Sequence, residues 1–488
     1  VTNKLVDKKN LNLLTWMQEQ HIHVNASCNG KGTCGQCKIL CIDPLFVVTD
    51  SERDLLSNFE IESGIRLACQ HLSSEKTVFK LLHESNFSIL GSSITDFDLE
   101  SHDDLLRIAI DIGTTTIVML VIETDGRVIN ERRFLNPQRS FGADVLTRIQ
   151  YAVEKEYDSV ADALLNKLED NLIEMCRNYP NRNYKIGITG NPTMTHFFMR
   201  QAVKSIIQLP YSVSVKKTKI FPISDLFKRL KIEGEIIVFP PISAYVGADI
   251  VCGLYDLNYF EQKQTRLFLD LGTNGELVLV KNGICYATST AAGPAFEGGH
   301  LSCGLGSIDG AISDVFRRSD GTIGFETINN CEALGICGSG YIDLFAVLLN
   351  HEMEDNGFLE HDVYLTETIK LTQQDVRMFQ LAKSAVRSGI EILLRKTNTM
   401  PNQIEFFDLA GGFGNHLDIG AATKIGLFPK NLEKVTQPVG NTALQGTVKM
   451  LFSVDQTYKI DQSKIEVVEL ADDPQFMELF TNYLYFSD

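Results

Sequence analysis

The sequence has no long apolar run. Its longest, such as IVMLVI (117–122), are strand length, far short of the ~20 residues that a membrane-spanning helix needs. No charged start leads into an apolar stretch, so no export signal is expected; the chain opens on Val1 rather than Met, so a trimmed start is expected. Basic clusters are missing too. No run of Lys or Arg exceeds a pair such as Lys216-Lys217, and the net charge is −17. This argues against nucleic acid, whose phosphates demand clustered cations, as a partner, and with apolar runs this short no membrane is expected either. A disulfide framework is also absent: eleven cysteines is an odd number, and six of them are scattered. Together these absences point to a reducing, cytoplasmic compartment.

What is present is ordinary in bulk. The chain has 488 residues, 44% hydrophobic and 22% charged, which allows two to four domains with their own cores.

One stretch is not ordinary. Residues 28–37 read CNGKGTCGQC, with three cysteines and three glycines in ten positions. Cys28, Cys34 and Cys37 are followed by Cys69 in RLACQ. A [2Fe–2S] cluster takes four thiolates, which plant-type ferredoxins supply as C-x4-C-x2-C plus a distant fourth; the first gap here is one residue longer. Gly30, Gly32 and Gly35 let the backbone curl round a cluster and aim N–H groups at sulfur. The flanks agree: a helical apolar pattern over 10–20 (NLNLLTWMQEQ), a strand at KILCI (38–42), and the fourth ligand closing 56–70. That is the order of a β-grasp ferredoxin. Zinc also takes four cysteines, but zinc sites usually pair two CxxC units and RLACQ contains none. Cys41 is either a substitute ligand or a core residue of its strand, and the core reading is preferred.

Residues 84–105 (ESNFSILGSSITDFDLESHDDL) are acidic and patternless. As a flexible linker of about 20 residues they would reach ~25 Å; as an ordered connector they would not move.

A repeat follows. Residues 107–113 (RIAIDIG) continue TTTIVMLVIETDGRVINERRF, and 266–272 (RLFLDLG) continue TNGELVLVKNGICYATST. Each copy reads strand, Asp-x-Gly-Thr turn, strand, a turn at Asp125-Gly126 or Asn282-Gly283, and strand. Helices are expected at 142–157 and 163–179. The Gly-Thr-Thr and Gly-Thr-Asn turns offer backbone N–H and hydroxyl donors in concave sets that bind phosphate. Asp111 and Asp270, at the strand ends, can hold Mg²⁺ through water. Two such loops facing one cleft would grip a triphosphate from both sides. A third element, IEFFDLAGGFGNHLDIGAA (404–422), runs from a strand into Gly411-Gly412 and Gly414, where a backbone without side chains can approach a base and ribose. In ITGNPTMTHFF (188–198), Asn191, Thr193 and Thr195 are placed to face the cleft, and His196 reads as a core histidine. Cys303, Cys331 and Cys337 lie in glycine-rich stretches; core or loop thiols are preferred there over a second metal site.

This set resembles the actin, sugar-kinase and heat-shock ATPase superfamily: Asp111-Gly113-Thr114 looks like its first phosphate motif, Asp270-Gly272-Thr273 its second, and Gly411-Gly412 its adenosine motif. Joined to the cysteine domain, the whole chain resembles the ATP-dependent reductive activators of corrinoid proteins. CNGKGTCGQC, RLACQ, AIDIGTTT, GNPTMTHFF, LDLGTNGE, GPAFEGG (293–299), DLAGGFG and ELADDPQFMELF carry that resemblance. It implies an α+β ferredoxin-like β-grasp domain followed by a duplicated α/β RNase H-like (actin-type) ATPase domain. The expected boundaries are 1–83 for the cluster domain, 84–105 for the linker, and 106–262 and 263–488 for the two lobes.

The resemblance further implies ATP-driven return of inactive Co(II) corrinoid to Co(I). One electron passes through the cluster to a corrinoid-carrying protein, from an unknown donor. For one electron, ~59 mV corresponds to ~1.4 kcal/mol, so coupled ATP chemistry can cover a gap of a few hundred millivolts. A homodimer is a family-level expectation. No cysteine follows Cys337, so a carboxy-terminal [4Fe–4S] pair is not expected. The implied roles are cluster binding for Cys28, Cys34, Cys37 and Cys69; phosphate and Mg²⁺ handling for Asp111, Gly113, Thr114, Thr115, Asp270, Gly272, Thr273 and Asn274; and adenosine contact for Gly411, Gly412 and Phe413. Asp144 and Glu276 are candidates for positioning the attacking water, with helix capping the alternative for a charged residue at a helix start. Rival readings are an electron-injecting activator of a dehydratase, a small-molecule kinase with a ferredoxin domain, and a redox-sensing nucleotide-binding module.

Overall fold

The computed structural model describes residues 3–6, 9–20, 22, 24, 26, 28, 30–74, 76–81, 96–101, 103–299, 301–414, 417–453 and 462–486. Its first unit is an antiparallel sheet of β1 (Lys4–Val6), β2 (Lys38–Asp43), β3 (Ile65–Leu67) and β4 (Thr77–Leu81), in the order β1-β4-β2-β3. Helix α1 (Leu13–Glu19) covers it. Asn12 caps the helix by accepting from Thr15 N at 3.2 Å. Leu13, Leu14, Trp16 and Met17 are buried with Ile39 and Phe79. The apolar pattern over 10–20 thus becomes a helix over its middle part, because the Asn12 side chain fixes where the helix begins.

Two six-stranded sheets form the remainder. The first is built from β5 (Leu105–Ile112), β6 (Thr116–Ile122), β7 (Val128–Leu135), β8 (Asn183–Gly190), β9 (Lys219–Pro222) and β10 (Glu233–Val238), in the order β7-β6-β5-β8-β10-β9. The second begins with β11 (Arg266–Leu271), β12 (Gly275–Lys281) and β13 (Ile284–Thr290). An insertion follows, carrying the small sheet of β14 (Ala311–Arg317), β15 (Ile323–Thr327) and β16 (Gly335–Ile336) and the pair β17 (Val363–Tyr364) and β18 (Lys370–Leu371). Then β19 (Phe406–Ala410), β20 (Thr436–Gly440) and β21 (Ile465–Val467) complete the order β20-β19-β11-β12-β13-β21.

The shared core of the two sheets is the same. An antiparallel meander (β5-β6-β7; β11-β12-β13) is extended on its first strand by two parallel strands (β8, β10; β19, β20). β5 and β11 are central, which is why both read as almost unbroken apolar runs. β7 lies at an edge and is nowhere fully buried. The Asn282-Gly283 turn has φ of +54° and +77°, the conformation a two-residue hairpin demands.

The expected helices form as Val145–Glu154 and Tyr157–Cys176. The first starts late because Asp144 takes the cap position. The second starts early because Val160 and Ala161 continue its buried face behind the polar Tyr157-Asp158-Ser159.

Two helices tie the lobes together. Thr442–Phe452 follows the last core strand of the second sheet yet packs on β5 and β8 of the first, with Leu444, Val448 and Leu451 beside Ala109 and Ile237. Ala248–Asp256 follows the first sheet yet lays Ile250 and Leu254 against Phe268 and Val278 of the second. The helices cross where both are small: a Cβ on Gly446 would stand 1.8 Å from Cys252 O, and one on Gly253 would stand 2.7 Å from Thr442 Oγ1.

Most of the 84–105 stretch, residues 82–95 included, lies outside the described residues, as does residue 102. Residues 96–101 are fastened to the β6–β7 turn: Phe97 N donates to Gly126 O at 2.9 Å, Ser101 N to Thr124 O at 2.8 Å, and Asp96 accepts from Val128 N at 2.9 Å. No helix among the described residues is long and apolar enough to cross a membrane.

Candidate functional site

The cysteine loop is held open by its glycines, which all have positive φ: +77° at Gly30, +72° at Gly32 and +66° at Gly35. This curl brings four sulfurs together as two pairs. Cys34 Sγ donates to Cys28 Sγ at 3.3 Å, and Cys37 hydrogen-bonds Cys69. In each pair one thiol supports a thiolate. Cys28 is drawn below the usual thiol range by the hydrogen bond from Cys34, and Cys69 by that from Cys37; Cys37 is pushed up by the same bond and by burial. Gln70 Nε2 donates to Cys69 Sγ at 3.3 Å.

Cys69 is anchored from behind. The buried Glu52 carboxylate accepts from Leu67 N at 2.7 Å and from His71 Nε2 at 2.8 Å. Cys41 stands apart in the strand core, and burial pushes its thiol up to about 12. Two thiol pairs suit two iron atoms taking two thiolates each. A single tetrahedral zinc would instead gather all four sulfurs.

In the cleft, the turns after β5 and β11 face each other. Glu297, which sequence reasoning did not single out beyond its place in GPAFEGG, bridges them. It accepts from Thr115 Oγ1 at 2.7 Å and from Thr273 Oγ1 at 3.0 Å, and the two hydroxyl oxygens lie 3.5 Å apart. Thr114 receives a hydrogen bond from Asn191 Nδ2 at 2.9 Å. Gly113 N donates to Thr116 O at 3.0 Å and Gly272 N to Asn274 O at 2.9 Å, which closes each turn.

Asp111 and Asp270, at the strand ends, are joined by two further carboxylates. Glu276 lies opposite Asp270 in the β11–β12 register. Asp249, at the amino end of the Ala248–Asp256 helix, was not anticipated; the Gly247-Ala248-Asp249 junction was its available signal. Asn441, the cap of the Thr442–Phe452 helix, donates to Asp111 Oδ2 at 2.9 Å and was missed for the same reason. Burial pushes Asp249 up to about 8, with Asp111 and Asp270 adding to it. Burial pushes Asp270 up to about 7, with Asp111 and Glu297 adding, and Asp111 up to about 6 against the Asn441 bond. Glu276 is driven far above the carboxylate range by burial and by Asp249 and Asp270. A pocket of mutually repelling carboxylates is a place where a divalent cation lowers the energy.

Gly411 has φ +86°, and a Cβ there would meet Asp270 Oδ1 at 2.7 Å, while a Cβ on Gly412 would meet nothing within 4 Å. The Gly411-Gly412 segment therefore approaches Asp270 and leaves open space beside it. Phe413 belongs to the same short helix, Gly411–Gly414, and its side chain lies outside the described residues.

Asp144 is engaged as a cap, accepting from Thr147 N at 2.8 Å. His196 is a satisfied core histidine: Nδ1 donates to Pro192 O at 2.6 Å and Nε2 accepts from Ser214 N at 2.9 Å. Thr195 turns its hydroxyl back to Pro192 O at 3.0 Å rather than into the cleft. Cys303, Cys331 and Cys337 have separate backbone partners, at Thr368 O, Asn329 O and Ile312 O.

Family models match almost the whole chain. They are a 2Fe-2S iron-sulfur cluster binding domain over residues 2–74, the RACo middle region over 106–261, and the C-terminal domain of RACo, the ASKHA domain, over 264–488. The chain is 30% identical over 440 residues to the corrinoid activation enzyme RamQ of Eubacterium limosum, covering 82% of this chain and 74% of RamQ. It is 24% identical over 373 residues to the [Co(II) methylated amine-specific corrinoid protein] reductase of Methanosarcina barkeri, covering 69% of this chain and 68% of that one. A solved reductive activator for corrinoid, iron-sulfur protein shares the fold, with TM-score 0.70 and 23% identity, over 99% of this chain and 96% of that one. A [2Fe–2S] domain followed by an actin-type nucleotide-binding domain defines an iron–sulfur ATPase. Within that class, the chain belongs to the family of ATP-dependent reductive activators of corrinoid proteins.

Proposed function

We propose that this enzyme reduces the inactive Co(II) corrinoid of a methyltransferase system's corrinoid protein to Co(I), using ATP. A [2Fe–2S] cluster held by Cys28, Cys34, Cys37 and Cys69 would supply one-electron transfer to the corrinoid, with an external reductant as the source of the electron. The observation that carries the reading is the pairing of a four-thiol loop with a cleft in which one carboxylate spans both phosphate loops.

The chain's own residues divide the work. Cys28 and Cys34 take one iron, and Cys37 and Cys69 the other. Thr114 and Thr115 on one side, and Thr273 and Asn274 on the other, receive the phosphates through N–H and hydroxyl groups, while Gly113 and Gly272, whose own N–H groups close the turns, let the backbone come close. Asp111 and Asp270 would hold Mg²⁺, whose charge offsets the penalty that burial places on their ionised forms. Glu276 orients the attacking water, and Asp144 acts at one remove by fixing the start of the Val145–Glu154 helix. Gly411, Gly412 and Phe413 border the adenosine. The working division is a cluster domain to residue 83, a connector over 84–105, and lobes at 106–262 and 263–488. Eleven free thiols suit a reducing cytoplasmic setting.

The deciding experiment adds ATP, Mg²⁺ and a reductant to the chain and a Co(II) corrinoid protein, and follows Co(I) absorbance. Growth that requires ATP supports the reading; equal growth without ATP overturns it.

A further inference from the structure

We propose that α1 is the element through which the nucleotide cleft positions the cluster domain, with Gln18 as the positioning residue. The proposal rests on the reading above that the thiol loop takes a cluster and the cleft a nucleotide.

Gln18 completes the face of α1 that Leu11 and Leu14 begin, yet it does not enter the domain's own core. It is 7% exposed, and its side-chain amide Nε2 donates to the main-chain carbonyl of Ser140, 122 positions away. A buried amide needs such a partner, and this one lies in the nucleotide-binding region.

Ser140 belongs to a short turn, Pro137–Phe141, which is built onto the first phosphate loop. At its start the buried Asn136 donates through N to Thr115 O at 2.8 Å and through Nδ2 to Gly113 O at 2.8 Å. Within it, Arg139 feels the charge of Glu297, the carboxylate shared by Thr115 and Thr273. The turn is thus hydrogen-bonded to the first of the two loops that would grip a triphosphate, and Arg139 lies within electrostatic reach of the carboxylate that both share.

The other end of α1 is joined to the thiols. Asn12 Nδ2 donates to Cys69 O at 2.8 Å, and Leu13 N to His71 O at 3.0 Å. Leu14 lies so close to the first cysteine segment that a Cβ on Gly30 would come within 3.3 Å of it. Loop, Asn136, turn, Gln18, α1 and Cys69 form an unbroken chain of hydrogen bonds and covalent structure. A change at Gly113–Thr115 on phosphate binding reaches Cys69 without crossing the connector over 84–105.

A single neutral hydrogen bond biases a docking equilibrium by about tenfold or less. That bias is small enough for a domain that must also release to meet a partner. By linkage, what the nucleotide does to docking, docking does to nucleotide affinity.

The test uses the full chain with its iron and sulfide in place. Amide hydrogen exchange of residues 13–20 and 136–144 is measured with and without Mg²⁺ and a non-hydrolysable ATP analogue. The expected result is a nucleotide-dependent change of about threefold or more in both segments of the unaltered chain. That change should be lost from 13–20 in Gln18→Met, which keeps the length of the side chain but cannot donate, with iron content retained. Gln18→Ala, read the same way, serves if Gln18→Met loses iron. No change in 13–20 of the unaltered chain, or the same change in the variants, overturns the proposal. The measurement needs neither corrinoid protein nor reductant, so failure to form Co(I) would sink the proposed function and leave this result standing; failure of the analogue to bind would sink the nucleotide reading itself.

Discussion

Thr115 donates its hydroxyl hydrogen to Glu297 at 2.7 Å, across 182 positions of sequence. The bond joins the turn after β5 to the segment that follows the second meander, and Thr273 shares the same oxygen. A charge-assisted bond of this kind contributes ~1.5–3 kcal/mol. Glu297→Gln is therefore expected to lower ATP turnover by about tenfold to a hundredfold while leaving iron content intact. Phosphate release and an iron assay on the same preparation check it; unchanged turnover would remove Glu297 from the reaction.

The cleft carboxylates give stability a definite pH slope. Asp249, pushed up to about 8, keeps its proton in the fold, whereas an unfolded Asp loses it near 4. Between those values the folded state binds more protons than the unfolded one, so stability falls as pH rises from about 4 to about 8. Asp111 and Asp270, raised to about 6 and about 7, act in the same sense, and the titration belongs to the group rather than to any member. Melting temperatures in chelator, without nucleotide, should drop between pH 5.5 and 8.5, and Asp249→Asn should flatten the slope. An equal slope in the variant would contradict this.

The thiols can be sorted by iron content. Cys28→Ser, Cys34→Ser, Cys37→Ser and Cys69→Ser should each lose most iron and visible absorption. Cys41→Ala should keep both, because Cys41 lies in the strand core away from the two pairs. Its cost is a small cavity worth ~1 kcal/mol. Iron loss in Cys41→Ala would make it a ligand.

Arg107 and Arg266 open the two copies of the repeat, yet they should respond very differently to loss of their acids. Arg266 is held by Asp408, with Nη2–Oδ1 at 2.9 Å and Nε–Oδ2 at 3.0 Å, and Asp408 is 0% exposed. Asp408 also accepts from Tyr259 Oη and, at 2.6 Å, from Gln437 Nε2. Asp408→Ala strands a buried cation and should cost about 3–5 kcal/mol. Arg107 pairs with Asp103, whose side chain is 39% exposed. Arg107 is itself only 2% exposed, but it keeps its donations to Leu451 O at 3.1 Å and Ser101 Oγ at 2.7 Å and sits over the Phe452 ring, so Asp103→Ala should cost less than Asp408→Ala. Denaturant unfolding of both variants checks the contrast.

Much of this was legible beforehand because it is local. RIAIDIG and RLFLDLG are apolar on both faces, so they are central strands. Gly30, Gly32 and Gly35 announce a backbone that only glycine adopts readily. The Asp-Gly and Asn-Gly turns set the hairpins. What stayed hidden lies at junctions with no local mark. Asp249 and Asn441 are short polar residues at helix starts, where a cap is the ordinary reading. Asn441 is indeed a cap, and it reaches Asp111 as well. Thr195, read as facing the cleft, bonds its own helix, because a helical threonine satisfies its hydroxyl most cheaply at the preceding turn.

By itself, then, the order of residues determined the strands of the two meanders, the Asp-x-Gly turns between them and the four-thiol set, since each depends on neighbours within a few positions. Tertiary structure alone decided that the Ala248–Asp256 and Thr442–Phe452 helices cross to opposite sheets, that Glu297 spans both loops, and that Gln18 leaves its own domain to reach Ser140. Those outcomes depend on which surfaces meet. Close approach at Gly446 and Gly253 permits the helix crossing, and hydrogen-bond partners more than a hundred positions apart become adjacent only after the sheets have packed.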